Sequence, residues 1–326
     1  MQNISPLSGN KAGVFYGLAA FGIYATHDLF IKQLGGTYSP FQILFFSALL
    51  SFPFITFFMI HDARPGTLRP THPWWLALRS LSGAFTAICA FYAFATLPLS
   101  QVYALVFATP LLITVLAIPM LGETVGPRRL LAVLVGLGGV VVVVQPNPAS
   151  LEWGHAAGLA AAVSGALNSV ISRKIGNEER VVVMVLYPMI TNLIVAALFL
   201  PFVYIEVALV DLGFMAIVSI LGLIGMGFLV TGYVKSNAVL VAPTQYSQII
   251  WAVLFGALFF DEYPGTETYI GATIIILSGI YILRREASGK VRTKSPVLES
   301  RTRIGLSSPL RVGLILRRRA RKSEKG

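Results

Sequence analysis

Apolar residues run through this chain in long blocks separated by short polar stretches, with neither a helical nor a strand period inside the blocks. Ten blocks approach the roughly 20 residues that a helix needs to cross a bilayer. They lie near 12–34, 40–60, 74–96, 99–121, 130–144, 154–175, 181–204, 212–234, 238–260 and 269–283, the fifth and tenth being the shortest. The pattern predicts an all-α integral membrane protein of ten transmembrane helices. The connections are too brief for an extramembrane catalytic domain. The first block is too long for a signal-peptide core and no small-residue cleavage pattern follows it, so it reads as a retained first helix.

Composition agrees with this class. Of 326 residues, 56% are hydrophobic and 12% charged, more apolar surface than a soluble domain of this length can bury. Cys89 is the one cysteine, which excludes a disulfide framework, and its place in an apolar block marks it as a small packing residue. The net charge of +11 is concentrated in the tail, 284–326, which holds fourteen Lys or Arg against Glu286, Glu299 and Glu324. Its segment from Pro309 to Lys322 suits an anionic lipid surface. With no nucleic-acid fold beside these charges, no nucleic acid is expected as a partner. With a cytoplasmic N-terminus, Lys11, Arg64, Arg69, Arg128, Arg129, Arg173, Lys174, Arg180 and Lys235 all fall inside, and the outer connections hold only acids. The bias predicts a multi-pass protein of the cytoplasmic (inner) membrane with both termini cytoplasmic.

The chain also repeats itself. L-G-E-T-V-G (Leu121–Gly126) closes the fourth block and F-D-E-Y-P-G (Phe260–Gly265) the ninth, with Glu123 and Glu262 139 positions apart. Lys32 and Arg173 are 141 apart, and in that register His27 meets Asn168 and Asp28 meets Ser169. Five helices per unit is an odd number, so the predicted architecture is two inverted five-helix repeats, 12–146 and 147–283, between a short N-terminus (1–11) and the tail. Such a pair suits a central site opened alternately to either side, the geometry of transport.

On these motifs the chain resembles the drug/metabolite transporter superfamily, specifically its EamA-type members, over Gly13 to Leu283. The resemblance implies a secondary transporter whose helices one to four and six to nine surround a central cavity. H-D-L-F-I-K-Q-L-G from His27, A-P-T-Q-Y-S-Q from Ala242 and D-E-Y-P-G from Asp261 are also similar to uptake members for S-adenosylmethionine or riboflavin. Export of a metabolite or amino acid by the same family is the alternative direction. A non-transporting scaffold or sensor is the alternative class.

Ionisable groups inside an apolar block carry a cost and so point to function. Asp28 is the carboxylate well inside a block, and Lys32 lies one turn on, so the two are expected to pair on one helix face. Either that pair neutralises the helix for crossing or Lys32 snorkels to the outer surface, or else Asp28 meets a cationic substrate group or a coupling proton while Lys32 steers anionic groups. His27 points about 100° away from Asp28 around the helix, so the two need not act together; a helix-packing hydrogen bond is its reading, with a proton relay as the alternative. Arg79, five residues after Trp74, reads as an interfacial anchor, with a substrate-facing role as the alternative. Gln245, Gln248 and Trp251 form a stripe at spacing three; with Asn168, Ser172, Asn192 and Tyr246 they are the polar or aromatic groups of the second half. Tyr24, Tyr92, Tyr103 and Tyr187 are further candidates for the cavity wall. Glu123 and Glu262 read as loop-fixing residues. Pro110, Pro119, Pro188 and Pro243, with Gly222, Gly225 and Gly227, read as packing features. No phosphate-binding loop and no metal-ligand motif occurs, so no cofactor, no metal and no enzymatic activity is expected.

Overall fold

The computed structural model describes residues 6–60, 68–122, 125–144, 152–175, 178–179, 181–235 and 241–287. Glu123 and the tail beyond Ala287 fall outside them. Among the described residues the chain forms α1 (Pro6–Gly35), α2 (Pro40–Ile60), α3 (Pro73–Thr96), α4 (Leu99–Val106), α5 (Thr109–Leu121), α6 (Pro127–Val144), α7 (Trp153–Ile175), α8 (Val181–Val203), α9 (Leu209–Lys235), a 3-10 helix (Ala242–Ser247), α10 (Gln248–Phe259) and α11 (Thr266–Ala287).

Among the described residues seven stretches are long and apolar enough to cross a membrane: Lys11–Gly35, Pro73–Thr96, Leu99–Leu121, Pro127–Val144, Trp153–Ile175, Val183–Val203 and Leu209–Gly232. Pro40–Phe54 and Thr266–Ile282 are shorter apolar helices. Large apolar side chains such as Phe15, Leu131, Leu198, Ile250 and Leu277 face outward, as a lipid-facing surface requires, while Asp28, Lys32, Arg79 and Arg129 are buried. The chain is a multi-pass membrane protein.

Two of the expected continuous helices are broken. Pro110, the second residue of α5, has no N–H to give the carbonyl four residues back, and α4 stops at Val106. In the ninth block Pro243 opens a 3-10 helix, and the hydroxyls of Thr244 and Ser247 bond back to the carbonyls of Val241 and Thr244 before α10 starts.

The helices pack chiefly as α1 on α9, α3 on α7, α6 on α11 and α2 on α8, with α4 on α10 at the centre. Close approach depends on small residues. A Cβ on Gly271 of α11 would stand 2.6 Å from the Gly139 carbonyl of α6, so these two backbones touch. Polar contacts tie the bundle at both ends. At the α1–α2 end, Tyr38 donates to Asp211 (2.7 Å) and accepts from the Ala208 N–H, while Gln42 exchanges two bonds with the Ile205 backbone. At the α2–α3 end, the His72 ring meets Glu178 at 2.5 Å and the His72 N–H donates to Glu179.

Candidate functional site

A narrow cavity lies where α1, α3 and the two broken spans converge. Its wall takes Phe21 and Asp28 from α1, Phe94 from α3, Tyr103 and Val106 from α4, Thr109 and Pro110 from α5, and Gln245 and Gln248 from the 3-10 helix and α10. Phe107, at the α4–α5 break, completes it. Its volume of about 40 Å³ gives room for roughly three waters in this conformation.

Asp28 is 6% exposed. Its Oδ2 accepts from the Tyr103 hydroxyl at 2.7 Å, and its Oδ1 lies 2.6 Å from His27 Nδ1. Tyr103 is fixed in turn between Phe94 and Phe107, with ring centroids 5.5 and 6.2 Å away. A carboxylate held by a phenol and an imidazole, facing aromatic walls and two amides, can take a cationic or hydrogen-bonding ligand group and can exchange a proton with His27.

The expected Asp28–Lys32 pair does not form. The Lys32 ammonium instead bonds Glu262 Oε1 and the Leu97 carbonyl, each at 2.7 Å, with the Phe94 carbonyl at 3.5 Å and the Phe260 ring at 5.2 Å. Helical spacing puts Asp28 and Lys32 on one face but says nothing of what leans in from elsewhere in the bundle, and Glu262 does so from the connection after α10. The left-handed Asp261 (φ 53°), a conformation Asp tolerates, turns the chain so that the Glu262 N–H caps the Gly256 carbonyl and its side chain enters the bundle. There its Oε2 also accepts from the Leu99 N–H. Glu262 is therefore more than a loop-fixing residue: it joins α1 to the start of α4. Each half carries a basic residue late in its first helix and a glutamate after its fourth, but the pair that forms crosses between halves, which the sequence does not show.

His27, which helical geometry does not require to meet Asp28, does meet it, at 2.6 Å. Cβ directions about 100° apart leave adjacent side chains free to curl together when both are buried, and this pair does so.

Arg79 is 1% exposed, so it is no interfacial anchor, unlike neighbouring Trp74 at 86%. Its Nε donates to the Ser172 hydroxyl (2.6 Å) and its Nη1 to the Met184 carbonyl (2.9 Å). Asn168 donates to the Arg79 carbonyl at 2.9 Å. These residues form a polar knot among α3, α7 and α8, apart from the cavity wall. Helix α7 and α8 cover a position that, read along α3 alone, looks peripheral.

The expected Gln245–Gln248–Trp251 stripe is divided by the change from 3-10 to α-helix. Gln245 and Gln248 face the cavity, while Trp251 packs against Gly22 of α1. Tyr246 points elsewhere, with its ring 5.1 Å from Phe107 and its hydroxyl toward Gly279. Tyr24 is buried against Gly225 of α9. Asn192 is buried on α8, Tyr92 is partly exposed, and the Tyr187 hydroxyl donates to the Leu68 carbonyl at the α2–α3 end. Among the described residues no group of three or more His, Cys, Asp or Glu is placed to hold a metal ion.

Comparison with known proteins gives a consistent result. The model of the EamA-like transporter family matches residues 11–145 and again 152–284. The chain is 25% identical over 277 residues to a pseudopaline exporter of Pseudomonas aeruginosa, covering 84% of this chain and 96% of the relative. It is 24% identical to an S-adenosylmethionine uptake transporter of Rickettsia bellii (84% and 94% covered) and 27% identical to a riboflavin transporter of Rhizobium johnstonii (74% and 78%). A solved crystal structure superposes with a TM-score of 0.56 at 17% identity, covering 89% of this chain and 100% of its own, a likeness of fold alone.

Proposed function

The chain belongs to the EamA-like transporter family, and from that premise we propose that it is a gradient-driven secondary carrier of a small organic metabolite, built as two inverted five-helix repeats. The family model matches it twice in succession, which supports two units. The helix pairing supports their symmetry: exchanging each span for the one five later turns the α1–α9 contact into α7–α3 and maps α6–α11 and α2–α8 onto themselves. Helices α5 and α10 start 139 positions apart, at Thr109 and Gln248, so both broken spans resume helix at matched positions. Left-handed Gly122 and Asp261 follow the same two helices at the same spacing. An odd number of crossings per unit makes the units antiparallel, with the basic connections and both termini on the cytoplasmic side of the inner membrane.

The observation that carries the reading is that one cavity is walled by both units, with Asp28, Tyr103 and Phe94 from the first facing Gln245 and Gln248 from the second. A rocking motion of one unit against the other opens such a site to either side. Asp28 is the group we assign to a cationic centre of the substrate or to the coupling proton, with His27 as its relay. Uptake of S-adenosylmethionine or riboflavin is the first reading, on the likeness to transporters of those two metabolites. Export is the second, favoured by the equal likeness to the pseudopaline exporter. Arg79, Asn168 and Ser172 act in this reading as a structural joint between units. The basic tail adds an attachment to anionic lipid.

The test is an uptake and efflux screen in cells expressing the protein, including both named metabolites, with and without collapse of the proton gradient. Accumulation or depletion of a metabolite supports the carrier. Cells with and without the protein that are indistinguishable for every metabolite in both directions would favour a scaffold or sensor.

A further inference from the structure

Lys32 has two carboxylates within its reach. Glu262, from the connection after α10, holds it at 2.7 Å, and Asp28 stands one turn back on its own helix, facing the cavity. The Lys32–Glu262 pair closes the bundle at the α1–α2 end. It joins α1 to the Leu97 carbonyl beyond α3, to the Leu99 N–H opening α4 and to the α10–α11 connection, and the Phe94 carbonyl it also approaches belongs to a cavity-wall residue. Opening that end draws Glu262 away from α1, and a buried ammonium left without a carboxylate is strongly disfavoured.

We propose that Lys32 is the moving part of a gate, exchanging between Glu262 when the α1–α2 end is closed and Asp28 when it is open. The i,i+4 spacing places an ammonium within reach of Asp28 once Glu262 withdraws. In the open state Asp28 takes Lys32 on the same carboxylate that Tyr103 and His27 contact. The lysine is thereby paired in both states, which keeps the two arrangements close in free energy, as a switch requires. The inference rests on the carrier reading and deepens it: a cationic group bound at Asp28 expels Lys32 toward Glu262, so an occupied site favours closure of this end and an empty one favours opening.

The experiment needs no substrate, so its failure leaves the transport reading standing. In a Cys89→Ala background, Val106→Cys places a single thiol in the cavity wall. Its reaction with a membrane-impermeant maleimide is timed from each face of sealed vesicles. Glu262→Gln is expected to speed labelling from the α1–α2 side about tenfold, the effect of weakening one buried charge-assisted bond. Asp28→Asn removes the open-state partner and slows it by a similar factor. The exchange of charges, Lys32→Glu with Glu262→Lys, separates a moving lysine from a static pair. A static pair labels at the parent rate, whereas a carboxylate at position 32 is repelled by Asp28 and holds the gate shut, so labelling falls below the parent. Unchanged labelling in Glu262→Gln, or parent-like labelling in the exchanged variant, overturns the gate.

Discussion

The Tyr103 hydroxyl reaches across from α4 to donate to Asp28 Oδ2 of α1 at 2.7 Å, in the wall of the cavity. Asp28→Asn keeps the shape and removes the charge, so transport of the metabolite identified by the screen is expected to fall at least about tenfold with membrane insertion intact. Tyr103→Phe removes one donor to a carboxylate that keeps His27, and a loss of only about threefold to tenfold is expected, in line with one hydrogen bond to a charged group. Initial rates in proteoliposomes, normalised to inserted protein, check both. Equal rates for Asp28→Asn and wild type remove Asp28 from the mechanism.

Arg79 supports the joint rather than the cavity. Arg79→Ala is expected to cost roughly 2–3 kcal/mol, leaving the Ser172 hydroxyl and Met184 carbonyl without their donor. Arg79→Lys restores little, because one ammonium cannot reproduce two donors held in a planar fork. Thermal unfolding in detergent measures this. Transport by the correctly folded fraction stays near wild type, which separates a structural arginine from one that meets the substrate.

The Tyr38–Asp211 contact at the α1–α2 end loses its contribution on the alkaline side. The hydrogen bond to Asp211, with burial next, holds the Tyr38 phenol above its ordinary value of 10.0. The neutral phenol is the form that the fold favours. Its contribution is therefore complete below the unfolded value and lost as pH rises through the folded one. Absorbance titration is expected to show one tyrosine ionising later in wild type than in Asp211→Asn.

Gly271→Leu is expected to drive α11 away from α6, since even a Cβ there would stand 2.6 Å from the Gly139 carbonyl. The cost is about 1–3 kcal/mol, typical of overpacking. Gly138→Ala, on the same stretch of α6 but with open space around its added carbon, is the control and should unfold at nearly the wild-type temperature.

Much of the architecture was legible in block lengths, because a bilayer forces each crossing to be apolar and long enough. The breaks in the fourth and ninth blocks were marked only by Pro110 and Pro243, residues equally at home in a merely kinked helix. At the site, Asp28, Gln245 and Gln248 were recognisable as polar groups with a cost to explain. The partners were not. Lys32 and Asp28 share a face, yet Glu262 takes the lysine from over two hundred residues away, and only the folded bundle brings it there. Arg79 misleads for the same reason, since its burial is supplied by α7 and α8.

Asp28 has no acidic counterpart at the matched position. There Ser169 turns its hydroxyl to the Gly165 carbonyl of its own helix at 2.9 Å. In the proposed carrier of two inverted repeats this leaves the cavity's carboxylate on one half alone, so the inward-facing and outward-facing forms are not mirror images in energy. Such a carrier is kinetically rectified: under equal and opposite substrate gradients its half-saturation concentrations differ between the two faces, and the membrane voltage acts unequally on the two halves of the cycle.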